Sequence, residues 1–106
     1  MGKTAQKILL HLFHYGETYA SAVSKDMATS LGQVQRSLDH LENTGLLVSK
    51  RSGKTRIYTF NPKSAYTRTF RDLVKIEYEA IPLTERTKLF SERRRPRRRG
   101  KPVIQS

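Results

Sequence analysis

The chain contains no cysteine. No disulfide framework can staple it, and no thiolate can hold a metal. It also has no apolar run near the roughly eighteen residues that cross a bilayer, so no membrane partner is expected. The start, Met1-Gly2-Lys3-Thr4, lacks the continuous apolar stretch of a secretory signal. Ala5-Gln6 misses the hydroxyl residue that N-myristoylation needs. Catalytic signatures are missing too: there is no Gly-x-Ser-x-Gly elbow, His-Glu-x-x-His pair or Gly-rich phosphate loop. Glu77 and Glu79 are two apart on an expected helix, so they point to different sides and make a poor acid/base pair. A soluble, cytoplasmic, non-enzymatic protein without cofactor or metal is expected. Acidic residues are scarce as well. Nine Asp and Glu stand against 21 Lys and Arg, a net of +12. Such an imbalance points to a polyanionic partner.

The charge is unevenly spread. Residues 93–106 hold seven basic and no acidic side chains, leaving +5 for residues 1–92. That last stretch cannot bury a core and is expected to be disordered by itself. The 106 residues otherwise suffice for one small domain with a modest core. The spacing divides the chain into a domain over 1–81, a weak helix or linker over 82–92, and the basic tail over 93–106.

Periodicity supplies the elements. Ala5, Ile8, Leu9, Leu12 and Phe13 line one face of a helix that Thr4 can cap and Gly16 can stop. Thr18 can cap a second helix, Tyr19 to Met27, with Ala22, Val23 and Met27 inward. Ser30 can cap a third, with Val34, Leu38 and Leu41 inward and Gly45 at its end. Leu46-Leu47-Val48 and Ile57-Tyr58-Thr59-Phe60 read as two strands around a Ser52-Gly53 turn. Asn61-Pro62 breaks the second strand, and Ser64 can cap a fourth helix that Pro82 ends. A short helix led by Thr84 is a weak further signal. The order is α-α-α-β-β-α, mainly α with a small β-hairpin: the layout of a winged helix-turn-helix.

In that layout the third helix enters a major groove. Its inward stripe leaves Gly32, Gln33, Arg36, Ser37 and His40 outside, with Gln35 on the flank. Glutamine can bond both edges of adenine, and arginine both acceptors of guanine. Gly32 permits close approach, and the free N–H groups near Ser30 favour a phosphate. Lys50, Arg51, Lys54 and Arg56 surround the hairpin turn, where phosphate or minor-groove contact is expected. Double-stranded DNA is therefore the expected partner, with RNA as an open alternative.

Ser30 to Leu47, through Val34, Arg36, Leu38, Asp39, Leu41, Glu42, Gly45 and Leu46, resembles the recognition helix of the ArsR and MarR families of prokaryotic transcriptional regulators. The stretch from Ser49 to Pro62, with Arg51, Gly53, Arg56, Tyr58 and Asn61, is similar to the wing of ArsR-like members. This resemblance implies a homodimer on a two-fold symmetric operator, associated with the nucleoid. It implies a dimer interface on the first helix and the helix after the wing, at Ile8, Leu12, Tyr66, Phe70, Leu73 and Val74. The stripe on that last helix also suits intramolecular core. The chain departs from metal-sensing members in having no cysteine. His11 and His14 share a helical face but need further ligands, and are expected to be exposed or partly packed. An effector pocket is not expected in so short a chain.

The tail residues Arg93, Arg94, Arg95, Arg97, Arg98, Arg99 and Lys101 suit phosphate gripping. Arg99-Gly100-Lys101-Pro102 is similar to the core of AT-hook peptides, with Lys101 in place of arginine. A nonspecific arm, an RNA grip or a nuclear-import signal would use the same residues. Three functions fit the sequence: a sequence-specific transcriptional regulator, an architectural, chromatin-like DNA-binding protein, and an RNA-binding or protein–protein adaptor use of the winged helix.

Overall fold

A computed structural model describes residues 2–90. Among these residues the order is α1 (Lys3–Tyr15), α2 (Ala20–Asp26), α3 (Leu31–Asn43), β1 (Leu47–Ser52), β2 (Thr55–Phe60), α4 (Thr67–Ala80) and α5 (Leu83–Phe90). The helices wrap one apolar core, and the two antiparallel strands project from it as a hairpin. The expected order holds, with α5 added at the end.

The core is built from the stripes that the periodicity marks. Ile8, Leu9 and Leu12 of α1, Val23 of α2, and Val34 and Leu38 of α3 are fully buried. Leu47 and Tyr58 close it from the hairpin. Ile8 and Leu12 are therefore not available to a dimer interface. They sit at the heart of the protomer because α1 lies between α3 and α4 and spends its apolar face on both.

Three expected helix caps are replaced by other arrangements. Gly2, not Thr4, precedes α1, and no side chain caps it. Ser64 lies three residues ahead of α4, where its hydroxyl accepts the Tyr66 N–H in a turn, and Tyr66 leads the helix. Thr18 is fully buried and pairs with the hairpin: its N–H donates to the Tyr58 carbonyl at 3.0 Å and its carbonyl accepts from Tyr58 N–H at 2.8 Å. Its side chain meets His11. Ser30 does cap α3, its Oγ accepting from Gln33 N–H at 3.3 Å.

His11 is fully buried rather than partly exposed, because it has polar partners inside. Its Nε2 lies 2.7 Å from an Asp26 carboxylate oxygen and its Nδ1 lies 2.8 Å from Thr18 Oγ1. A ring protonated at Nε2 satisfies both at once, donating to Asp26 and accepting from the threonine. The α2–α3 turn is held similarly. Ala28 takes a left-handed φ of 51°, unusual for a side chain with Cβ. Lys7 Nζ, reaching over from α1, bonds Thr29 Oγ1 at 3.0 Å beside it.

Helix α5 folds back on the end of α1. Phe90 is 2% exposed and stacks on His14 with ring centroids 4.2 Å apart. His14 Nδ1 meets the Tyr78 hydroxyl at 2.7 Å, and Arg86 lies over the Tyr78 ring. Partial burial, and then the Arg86 charge, hold the His14 pKa below its ordinary 6.5. The unfolded chain thus takes up the proton first. The packing of α5 contributes fully above pH 6.5 and weakens as pH falls below it. Thermal melts across that range should show His14→Gln losing part of the wild-type pH dependence. Parallel curves for the two proteins would sink this account.

Candidate nucleic-acid interface

Helix α3 presents two outward flanks and a crest between them. Val34, Leu38 and Leu41 anchor the inner side. Gly32, Arg36, Asp39 and Asn43 recur at i, i+4, i+7 and i+11 on the opposite side, and all are exposed. A Cβ at Gly32 would lie in ordinary contact with Arg36 Nη1 at 3.5 Å, so the guanidinium lies back over the first turn. Asp39 and Asn43 were not among the expected contacts. Counting two and three turns on from Gly32 along the crest finds them. A carboxylate at Asp39 suits the amino group of cytosine.

One flank faces the beginning of α1. Gln33, Arg36, half-buried Ser37 and His40 line a groove of about 420 Å³ with Gly2 to Ala5. The other flank faces the hairpin. Gln35 and Asp39 line a groove of about 430 Å³ with Lys54, Arg56 and Tyr58. Gln35 thus belongs with the wing rather than with Gln33. Burial, with Asp39 and Glu42 adding and Arg56 opposing, pushes the Tyr58 phenol up, so its hydroxyl stays protonated at neutral pH.

The hairpin turn needs Gly53, at φ 64°, to close the two strands. Pairing is in register, with Arg51 opposite Arg56 and Lys50 opposite Ile57. Alternation then puts Arg51 and Arg56 on the face shared with Leu47 and Tyr58, and Lys50 on the other face. Lys50 is therefore not gathered with the other basic wing residues. Two arginines directly across from each other repel unless an anion sits between them. Arg56 is also tied to α3: its Nη1 donates to Ser49 Oγ at 3.0 Å, and that hydroxyl donates to Glu42 at 2.6 Å. Helix and wing are thereby joined by side chains as well as by Gly45, whose carbonyl accepts from Asn61 Nδ2 at 2.8 Å.

Of the expected interface residues, Ser30, Gly32, Gln33, Gln35, Arg36, His40, Lys50, Arg51, Lys54 and Arg56 are exposed. The expected tail contacts at Arg93, Arg94, Arg95, Arg97, Arg98, Arg99 and Lys101 lie outside the described residues. Among the described residues no group of three or more metal-ligating side chains converges. No described helix is long and apolar enough to cross a membrane.

Residues 20–61 match the family model of the TBPIP/Hop2 winged helix domain, a span running from the start of α2 through the end of β2. The chain also superposes on the crystal structure of the adhesin competence repressor AdcR from Streptococcus pyogenes. The TM-score is 0.63 at 12% identity, covering 87% of this chain and 67% of that one. The chain has a winged-helix fold. No curated protein sequence matches it significantly. Within the winged helix, the TBPIP/Hop2 match covers both the α3 crest and the wing, where the exposed polar and basic side chains gather.

Proposed function

We propose that this chain is a dimeric, sequence-specific DNA-binding regulator of transcription. The observation that carries the reading is the pairing of the α3 crest with a basic wing held beside it through Arg56, Ser49 and Glu42. In this reading Arg36 and Gln33 contact base edges, with Asp39 and His40 beside them. Arg51, Lys54 and Arg56 take phosphates, and the basic residues from Arg93 to Lys101 add affinity without reading sequence. The likeness to a bacterial repressor agrees with a regulatory role. An apolar stripe on α4 supports the dimer: Tyr66, Leu73 and Ile76 are 62%, 54% and 65% exposed. Of the interface residues expected on α4, Phe70 is half-buried and Val74 is buried, so the contact falls to the outer residues of the stripe.

Selection from a random duplex pool with the purified protein is expected to enrich a two-fold symmetric site. Its half-sites should be about one helical turn apart. Arg36→Ala is expected to reduce discrimination between the selected site and random duplex by about 1–3 kcal/mol. Equal weakening on both duplexes would remove Arg36 from base reading and favour the architectural role. Structured RNA outcompeting every duplex would refute the DNA assignment.

A further inference from the structure

Among the described residues, a row of positive charge away from the helix–wing surface lies on α4. Arg68, Arg71 and Lys75 recur at i, i+3 and i+7, and therefore form one stripe. All three are exposed, and they line an open groove of about 910 Å³ with Ser64, Thr69 and Phe13. Among the described residues none of the three makes an ion pair, and none donates a side-chain hydrogen bond. Asp72 shares the groove without pairing to them. The Arg71 guanidinium lies over the Phe60 ring, 5.8 Å from its centroid, which steadies the cation without neutralising it. This stripe is distinct from the core-facing side of the helix and from its exposed apolar side.

Three neighbouring cations share the groove with one carboxylate, which leaves an excess of positive charge that an extended anion relieves. Seven residues of helix set Arg68 and Lys75 about 10.5 Å apart along the axis. Each strand of a duplex carries a phosphate about every 3.4 Å of axis, so a row of this length is long enough to meet more than one phosphate. A single small anion would meet one or two of the cations. The hydroxyls of Ser64 and Thr69 add neutral phosphate partners.

The position of the groove separates it from the α3 surface. The flank carrying Gln33, Arg36 and His40 is bounded by Gly2 to Ala5 at the start of α1. The α4 groove reaches Phe13, near the end of the same helix. We propose that Arg68, Arg71 and Lys75 form a second nucleic-acid backbone site, through which one protomer holds a second duplex segment. This site does not depend on whether α3 reads sequence.

A two-duplex capture experiment with the full chain tests it. One duplex is fixed to beads, the protein is added, and recovery of a second, labelled duplex is measured. The wild type is expected to recover both. The triple variant R68Q/R71Q/K75Q should keep the bead duplex within about threefold and lose about tenfold or more of the second. These side chains are exposed, and unchanged thermal melts would show that the variant is folded. Undiminished capture by the triple variant overturns the proposal. So does an equal loss of both duplexes, which would merge the groove with the α3 surface. If wild type holds the bead duplex but no second one, the groove fails and the α3 reading stands. If Q33A/R36A/H40A leaves bead binding and second-duplex capture intact while the triple variant loses only the capture, the α3 reading fails and the groove stands. An oligoglutamate peptide that binds wild type in preference to duplex, and is lost in the triple variant, overturns the nucleic-acid assignment.

Discussion

Leu38→Ala is expected to destabilise the domain by about 2–5 kcal/mol, read as a lower urea midpoint with an unchanged slope. Leu38 is fully buried in the middle of the inner stripe of α3, inside the core cluster that joins α1, α2, α3 and the hairpin. Truncation removes its transfer energy and leaves a cavity that helices packed on several sides cannot collapse. A domain of this size has about 5–15 kcal/mol in total, so the loss is a large fraction of its stability. Arg36→Ala, two positions away, should change the stability by no more than about 0.5 kcal/mol, because its side chain lies on the solvent side. The pair therefore separates folding from reading on one helix. A cost below about 1 kcal/mol for Leu38→Ala would mean that this stripe does not face the core.

The second large effect concerns assembly. Leu73→Ser combined with Ile76→Ser is expected to convert a dimer to monomers in sedimentation velocity. Both side chains are more than half exposed in the protomer, so fold stability should change little. Serine leaves the charge of α4 unaltered, and the neighbouring Arg71 and Lys75 keep whatever anion they hold. Two half-sites read by one dimer gain about 10²–10⁴ in affinity over one alone, through effective concentration. Binding to a symmetric site should fall by about that factor, while binding to an isolated half-site stays the same. A double variant that remains dimeric would move the interface elsewhere.

Helix α3 and the hairpin were legible because their signals are local. Ser30 and Gly45 bracket a 3.6-residue stripe, and Gly53 sits between two β-rich runs. The burial of Val34, Leu38 and Leu41 follows from that spacing alone. What escaped depends on contacts distant in the chain. Thr18 has the chemistry of a helix cap, but Tyr58, forty residues on, offers its backbone and His11 its ring. His11 reads as a surface residue until Asp26 and Thr18 are placed beside it. Phe90 ends a weakly amphipathic segment, yet the ring of His14 gives it a stacking surface. On α3 itself, Asp39 lies outside the expected contacts. Its position on the crest follows from the same period that places Arg36. Ile8 and Leu12 illustrate the opposite error: an apolar helical face does not say by itself whether its partner lies in the same chain.

The two backbone hydrogen bonds between Thr18 and Tyr58 fix the base of the hairpin to the corner between α1 and α2. Together with the Glu42–Ser49–Arg56 chain, they leave the hairpin little freedom to swing relative to α3. A duplex that touches both cannot rely on the protein to adjust its span. The bending must come from the DNA, and its cost depends on how easily the base steps between the two contacts kink or narrow. Sequence preference could thus arise at positions that no side chain reaches.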